Sequence, residues 1–213
     1  MGARSGARTQ QPTAQPEARR RLVEAAMRSF AARGYHATTT RDIAAGAGMS
    51  PAAVYVHHSS KEELLFLISR DGHDAALRVV TAAAADHADD PAARLAACVR
   101  AFTRWHAEHH TLARVVQYEG SALAPAHWEQ IVRRRRAIEQ VVRDTIGAGV
   151  DRGVFAAIDV PGTAMAILSL AVDVARWYRE DGRRTADAIA ELYADLALRM
   201  VGHHDGREHI RRR

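Results

Sequence analysis

The chain is predicted to be all-α. Apolar residues recur at helical spacing along most of its length, and few segments alternate apolar and polar with a period of two. Aromatic residues make up only 6% of the 213 residues while alanine is abundant, which favours closely packed helices. The stripes divide into short helices near the N-terminus and long ones after residue 60. The expected architecture is an N-terminal three-helix helix-turn-helix domain followed by a C-terminal helical bundle.

Residues 1–17 are rich in Arg, Gln, Ala, Pro and Gly, and are expected to be a disordered basic arm. With Arg4, Arg8 and Arg19 to Arg21 on or beside it, this arm is either a solubilising tail or a strand reaching DNA phosphate or the minor groove. A first helix is expected over 19–33, with Leu22, Ala26 and Phe30 on one face and Gly34 as its stop. Thr39 and Asp42 form a capping box for a second, short helix whose face is Ile43, Ala44 and Ala47. Gly46 and Gly48 end it. Ser50 caps the third helix and Pro51 opens it, where a missing N–H costs nothing. This helix, 51–57, points Val54 inward.

Two helices this short, joined by so tight a turn, make a helix-turn-helix, whose second helix enters the DNA major groove. Ala52 and Ala53 would let its backbone approach base edges, and Tyr55 and His57 carry polar tips that can reach bases or phosphates. Thr40, Arg41, Ser50 and Lys61, the only lysine in the chain, fall around the same expected surface. Lys61 begins the next helix and is either a solvated end residue or a phosphate contact.

That fourth helix is expected over 61–86. Its first half, with Leu64, Leu65, Leu67 and Ile68, anchors the head, and its second half enters the bundle. Asp89-Asp90-Pro91 breaks the chain and starts a helix over 91–109, carrying Leu95, Val99, Phe102 and His106 on one stripe. His106, His109 and His110 have a spacing that could hold a metal, but no fourth ligand can be assigned, so no metal is expected. A short helix at 112–119 and a loop at 120–125 follow.

The next helix, 126–147, has a buried stripe of Trp128, Ile131, Val132, Ile138, Val142 and Ile146, interrupted by Arg133 to Arg136. Arg134 and Arg135 each stand three or four residues from Ile131 and Ile138, so at least one leans toward the apolar side. A buried guanidinium needs an anion. Either a carboxylate such as Glu108, Glu119 or Asp173 supplies it, or a ligand does.

A helix over 161–180 is apolar nearly all round from Ala164 to Ala175, so it must be covered on both sides. Arg176-Trp177-Tyr178-Arg179 then mixes cations and aromatics. That group can clamp an anionic, partly planar molecule or simply end the helix. The last helix is expected over 185–201, and 204–213 as a disordered tail. Together the last two helices would form a four-helix interface in a twofold homodimer.

Charge is unevenly spread. Residues 1–70 carry ten basic and five acidic side chains, whereas 71–213 carry twenty of each, so the formal excess of +5 lies in the head. One cysteine, Cys98, excludes an internal disulfide and is expected in the core. No run is long enough to span a membrane, the N-terminus has no signal-peptide core, and Gly6 stands where myristoylation wants Ser or Thr. A cytoplasmic protein is expected.

The head resembles the DNA-binding domain of the TetR family of bacterial transcriptional repressors over about residues 19–66. The matching residues are Phe30, Gly34-Tyr35, Thr38-Thr39-Thr40, Asp42-Ile43-Ala44, Ala47-Gly48, Ser50, Val54-Tyr55, His57 and Ser60-Lys61-Glu62-Glu63-Leu64. The chain departs from the family at Val56-His57-His58, where His58 stands in place of a packing aromatic. The resemblance implies a helix-turn-helix domain over 18–64 and a ligand-binding and dimerisation domain over 65–203.

About residues 161–201 resemble the effector region of actinobacterial TetR regulators that answer to acyl-CoA thioesters in fatty-acid or steroid breakdown. The implied function is a homodimeric repressor bound to palindromic double-stranded operator DNA and released by a small-molecule effector. Phe102, His106, Trp128, Arg134, Arg135, Arg176, Trp177 and Arg179 are the expected effector-binding residues. A regulator of drug efflux with an apolar pocket is the alternative. An enzyme is disfavoured, since the chain has no phosphate loop, nucleophile elbow, HExxH or acidic metal cluster. So is an effector-free architectural protein, which would carry basic surface throughout. No cofactor is expected.

Overall fold

The computed structural model describes residues 14–156 and 159–203, and all regular structure among them is helical. The order is α1 (Ala14–Arg33), α2 (Thr40–Gly46), α3 (Pro51–His57), α4 (Lys61–Ala85), α5 (Pro91–Glu108), α6 (His110–Tyr118), α7 (Pro125–Asp151), α8 (Val160–Trp177) and α9 (Ala186–Met200). A 3-10 turn, Gly120–Ala122, joins α6 to α7.

Local rules set most of these boundaries. Thr39 and Asp42 exchange both bonds of a capping box, so α2 starts where its orphan N–H groups find acceptors. Prolines open α3, α5 and α7 at positions where no intrahelical N–H is needed. Asp90, Asp159 and Thr185 cap α5, α8 and α9 through their side chains.

Several expectations are corrected. α1 begins at Ala14, so the last residues of the expected arm are helical; the arm's first thirteen residues, with Arg4 and Arg8, and the tail 204–213 lie outside the described residues. Ser50 has the extended backbone of a cap, but its hydroxyl makes no capping bond. α7 runs past Gly147 to Asp151, because a helical glycine is tolerated where packing continues. α8 stops at Trp177, short of the expected 180, and leaves Arg179 in a loop.

The head core consists of Leu22, Ala26 and Phe30 from α1, Ile43, Ala44 and Ala47 from the turn region, Val54 from α3, and Leu64, Leu65 and Ile68 from α4. It does not close on itself. Val115 of α6, Leu123 and Ile131 of α7 belong to the same cluster. The body is organised on α5, which touches α4, α7, α8 and α9. Cys98 is fully buried there, and burial pushes its thiol up to about 11, so it stays protonated packing.

Arginines of α1 finish the helix-turn-helix. Arg21 donates to the Ala47 carbonyl, Arg28 to Gly46 and Arg19 to His57, so three cations meet the negative C-terminal ends of α2 and α3. Between those helices only Gly48 takes a left-handed backbone, φ +65°. Gly46 is helical and lies in ordinary contact with Ala25. Gly48→Ala should therefore destabilise the protein by about 1–2 kcal/mol, whereas Gly46→Ala should stabilise it by up to about 1 kcal/mol. Urea denaturation of the two variants checks the opposite signs.

Candidate DNA interface and effector cavity

The interface begins with what α3 hides and shows. Val54 is fully buried, while Pro51, Ala52, Tyr55 and Val56 are exposed. Val56 is 77% exposed and Tyr55 62%. Ala53 and His57 are partly covered. The Tyr55 hydroxyl lies 3.3 Å from Thr40 Oγ1, so the two polar groups sit side by side across the turn. Arg41 of α2 and Ser50 of the turn are exposed. Seven of the eight expected DNA-binding residues have polar or small side chains that are exposed or partly exposed. Val56 also points outward here, although it is not among the expected DNA-binding residues.

Lys61 is the exception. Its ammonium donates to the carbonyls of Tyr35 and Thr38, both at 2.8 Å, and rests 4.1 Å from the centre of the Tyr35 ring. The only lysine of the chain is thus engaged in holding the loop before α2. Two carbonyls and a ring face fix this cation more closely than solvent would.

His58 fills the place where an aromatic was expected. It is buried at the end of α3, and burial lowers its pKa despite Glu63, whose carboxylate lies 3.7 Å from Nδ1. The neutral imidazole serves as packing. Glu63 in turn accepts from the backbone and hydroxyl of Ser59, closing the link between α3 and α4.

The body contains a cavity of about 510 Å³ between α4, α5, α6, α7 and α8. That volume falls in the ordinary range for small-molecule sites. Gly72 and Ala76 of α4 give it room, Phe102 and Trp105 of α5 and Leu168 and Val172 of α8 make it apolar, and Tyr118 of α6 stands at its open side. Of the expected effector residues, Phe102, His106, Arg135 and Arg176 line it.

The other four do not. Arg134 is spent on Asp74, at 2.7 Å, and on the Gln130 carbonyl. Trp128 lies outside the wall, its indole against Gly120 and its ring 5.0 Å from the Arg135 guanidinium. Trp177 ends α8 on a more exposed face, and Arg179 falls in the following loop. His73, Gln117, Glu139 and Ser169 line the cavity unforeseen. His73 follows Gly72 on the helix already expected to bridge both domains, which was the available signal.

The wall's polar groups differ in how they are satisfied. Arg176 forms a two-point bond with Asp173, which raises its own pKa and lowers that of the carboxyl. Arg135 has no carboxylate partner among the described residues. It donates to His73 Nε2 at 3.2 Å, and burial lowers its pKa. His73 Nδ1 meets the Ser69 carbonyl at 2.7 Å, so the ring is held neutral with Nε2 as acceptor. Burial lowers its pKa, and the neighbouring arginines add to that.

His106 Nδ1 likewise meets the Phe102 carbonyl, and its ring packs edge-on to Phe102 and Trp105. His109 and His110 bond back to Trp105 and Ala107, and no three potential metal ligands converge among the described residues.

One joint ties the head to this wall. Glu62 of α4 accepts from the backbone N–H of Ala124 at 2.8 Å and lies 2.9 Å from His127 Nδ1. The His127 ring stacks on Phe66, centroids 3.8 Å apart and nearly parallel. His127 precedes Trp128, which supports Arg135. No described helix is long and apolar enough to cross a membrane.

Two family models match the chain. "Bacterial regulatory proteins, tetR family" covers residues 22–68, and "Tetracyclin repressor-like, C-terminal domain" covers 88–201. The HTH-type transcriptional repressor KstR2 of Mycobacterium tuberculosis is 31% identical over 83% of this chain and 89% of its own. Its solved structure, described as a ketosteroid transcriptional regulator, aligns with a TM-score of 0.76 over 89% of this chain and 95% of that one, at 29% identity.

A regulatory protein in the tetR family from Rhodococcus RHA1 reaches a TM-score of 0.84 and 44% identity, covering 89% of this chain and 99% of that one. AibR, solved in complex with isovaleryl coenzyme A and operator DNA, gives 0.77 and 25% identity over 88% of this chain and 100% of its own.

The buried His106 sets a pH dependence. Burial depresses its pKa from 6.5 to about 4, so the folded protein favours the neutral ring. The stability gained is present above pH 6.5 and is lost as pH falls toward 4, by roughly 3 kcal/mol at 1.36 kcal/mol per unit. Between pH 7 and 4, His106→Leu should lose less stability than the parent by that difference, measured by urea denaturation at each pH.

Proposed function

This chain belongs to the TetR family of bacterial regulatory proteins, and we propose that it is a homodimeric, ligand-released repressor whose effector is an acyl-CoA thioester of lipid or steroid catabolism. As a member it is a DNA-binding transcriptional repressor and not an enzyme. The operator is read as a palindrome, with the two α3 helices one DNA turn, roughly 34 Å, apart. Thr40, Arg41, Ser50, Ala52, Ala53, Tyr55 and His57 supply the surface that meets it. The exposed apolar residues Met165 and Leu170 of α8 and Leu192 and Leu196 of α9 support pairing through the last two helices.

Arg135 carries the effector reading. It is a half-buried guanidinium on the cavity wall with a histidine acceptor and no carboxylate among the described residues, beside Arg134 and Arg176, which each have one. A half-buried cation without a carboxylate partner on the cavity wall favours a ligand that brings its own acceptor. The likeness to KstR2 and to AibR with its bound thioester supports a CoA ester as that ligand. The cavity accommodates an acyl chain and pantetheine arm more readily than a whole CoA ester, which leaves the nucleotide toward Tyr118 and Arg176 at the open side. The alternative, an efflux regulator, would need no charged group there.

Control follows from α4. Effector contact with Arg135 disturbs Trp128 and His127, and through Glu62 and Phe66 the first turn of α4, which carries the head. Operator DNA and effector then select different tilts of α4, and each weakens the other equally.

Calorimetry with isovaleryl-CoA, octanoyl-CoA and free octanoate tests the ligand. A CoA thioester should bind, and Arg135→Ala should weaken it about tenfold or more, while Arg134→Ala changes it far less. No heat from any thioester, with stabilisation by uncharged hydrophobic compounds instead, would favour the efflux reading.

A separate experiment tests the route. Operator DNA should lower thioester affinity, and Glu62→Gln should shrink that factor several-fold while leaving affinity without DNA unchanged. An undiminished factor in Glu62→Gln would place the coupling elsewhere.

A further inference from the structure

Val56 has no role in the fold. It is the most exposed of the large exposed hydrophobics in the described chain. At about 100° per residue it stands some 200° from the buried Val54, so it points directly away from the head core. A β-branched residue is also a poor choice for an exposed helix position, where it loses rotamer freedom and gains no packing.

Its surroundings clear the approach. Ala52, one turn earlier on the same face, is exposed and adds only a methyl. Tyr55 has its hydroxyl beside Thr40 and so leans toward α2, leaving the valine unscreened.

We infer that Val56 reads the C5-methyl group of a thymine, making the operator half-site contain a thymine whose methyl sets affinity. This rests on the reading of α3 as the groove helix. Among the natural bases only thymine presents an apolar group in the major groove. The valine methyls can contact that group with no polar atom of either partner losing water. Cytosine at the same position presents only a C5–H where thymine carries the methyl, so the valine loses that apolar contact. The side chain thereby discriminates thymine from cytosine without a hydrogen bond of its own.

The test uses the full chain and an operator selected by it from duplexes with a randomised core. Each thymine of one half-site is replaced in turn by deoxyuridine, which removes the methyl alone, and binding is followed by fluorescence anisotropy. One replacement should weaken binding about fourfold, the value of one buried methyl. Val56→Ala should weaken the unmodified operator by three- to tenfold and become indifferent to that same replacement.

Selection and binding of an operator with no deoxyuridine effect would overturn the inference. So would an effect that persists undiminished in Val56→Ala. If the chain selects no sequence at all, the groove-reading function itself fails, a result distinct from either.

Discussion

Three consecutive side chains at the start of α4 hold the molecule's working parts in register, each on a different element. Lys61 binds two carbonyls of the loop before α2. Glu62 binds the start of α7. Glu63 binds Ser59 and faces His58 at the end of α3. Successive residues on a helix point about 100° apart, so a tight cluster of charges there fans out to three partners. The two glutamates also favour the positive end of the helix, which keeps the first turn formed under load. The first turn of α4 therefore touches three elements at once: the loop before α2, the end of α3 and the start of α7.

The hydrophobic core carries the same message. The head shares its core with Val115, Leu123 and Ile131, so the sequence boundary near residue 64 is not a packing boundary. Interiors at native density transmit displacement rather than damp it. The joint at His127 adds directional contact to this, because a stacked ring and a two-oxygen hydrogen bond resist sliding as well as separation. The start of α4 and the start of α7 are thus joined by a short chain of packed groups.

Features governed by neighbours in sequence were legible before the structure. The Thr39–Asp42 capping box, the turn at Gly48, the proline starts at Pro51 and Pro91 and the inward Val54 each depend on a few adjacent residues, and each is found as expected. Distant partners were not legible. Arg134 and Arg135 look alike on a helical repeat, and only Asp74, sixty residues away, separates the paired one from the unpaired one. Likewise only a helix to 180 would set Arg179 beside Arg176 and Trp177 by helical spacing; α8 ends at Trp177, so that spacing does not describe one face. His58 could replace an aromatic because burial keeps it neutral, an effect of its enclosure rather than of its neighbours in the chain.

The basic head led to the right partner by an incomplete route. Arg19, Arg21 and Arg28 are directed at helix C-termini, Arg20, Arg33 and Arg70 at carboxylates, and Lys61 at carbonyls. Among the described cations of the head, Arg41 is left facing outward without a protein partner. Much of the excess charge is thus engaged in shaping the helix-turn-helix, with phosphate attraction as a longer-range consequence of its sign. The exposed face of α3 then offers small side chains, a hydroxyl and the apolar Val56. The position of α3 is set in turn by the first turn of α4, where Glu63 accepts from Ser59 and faces the buried His58.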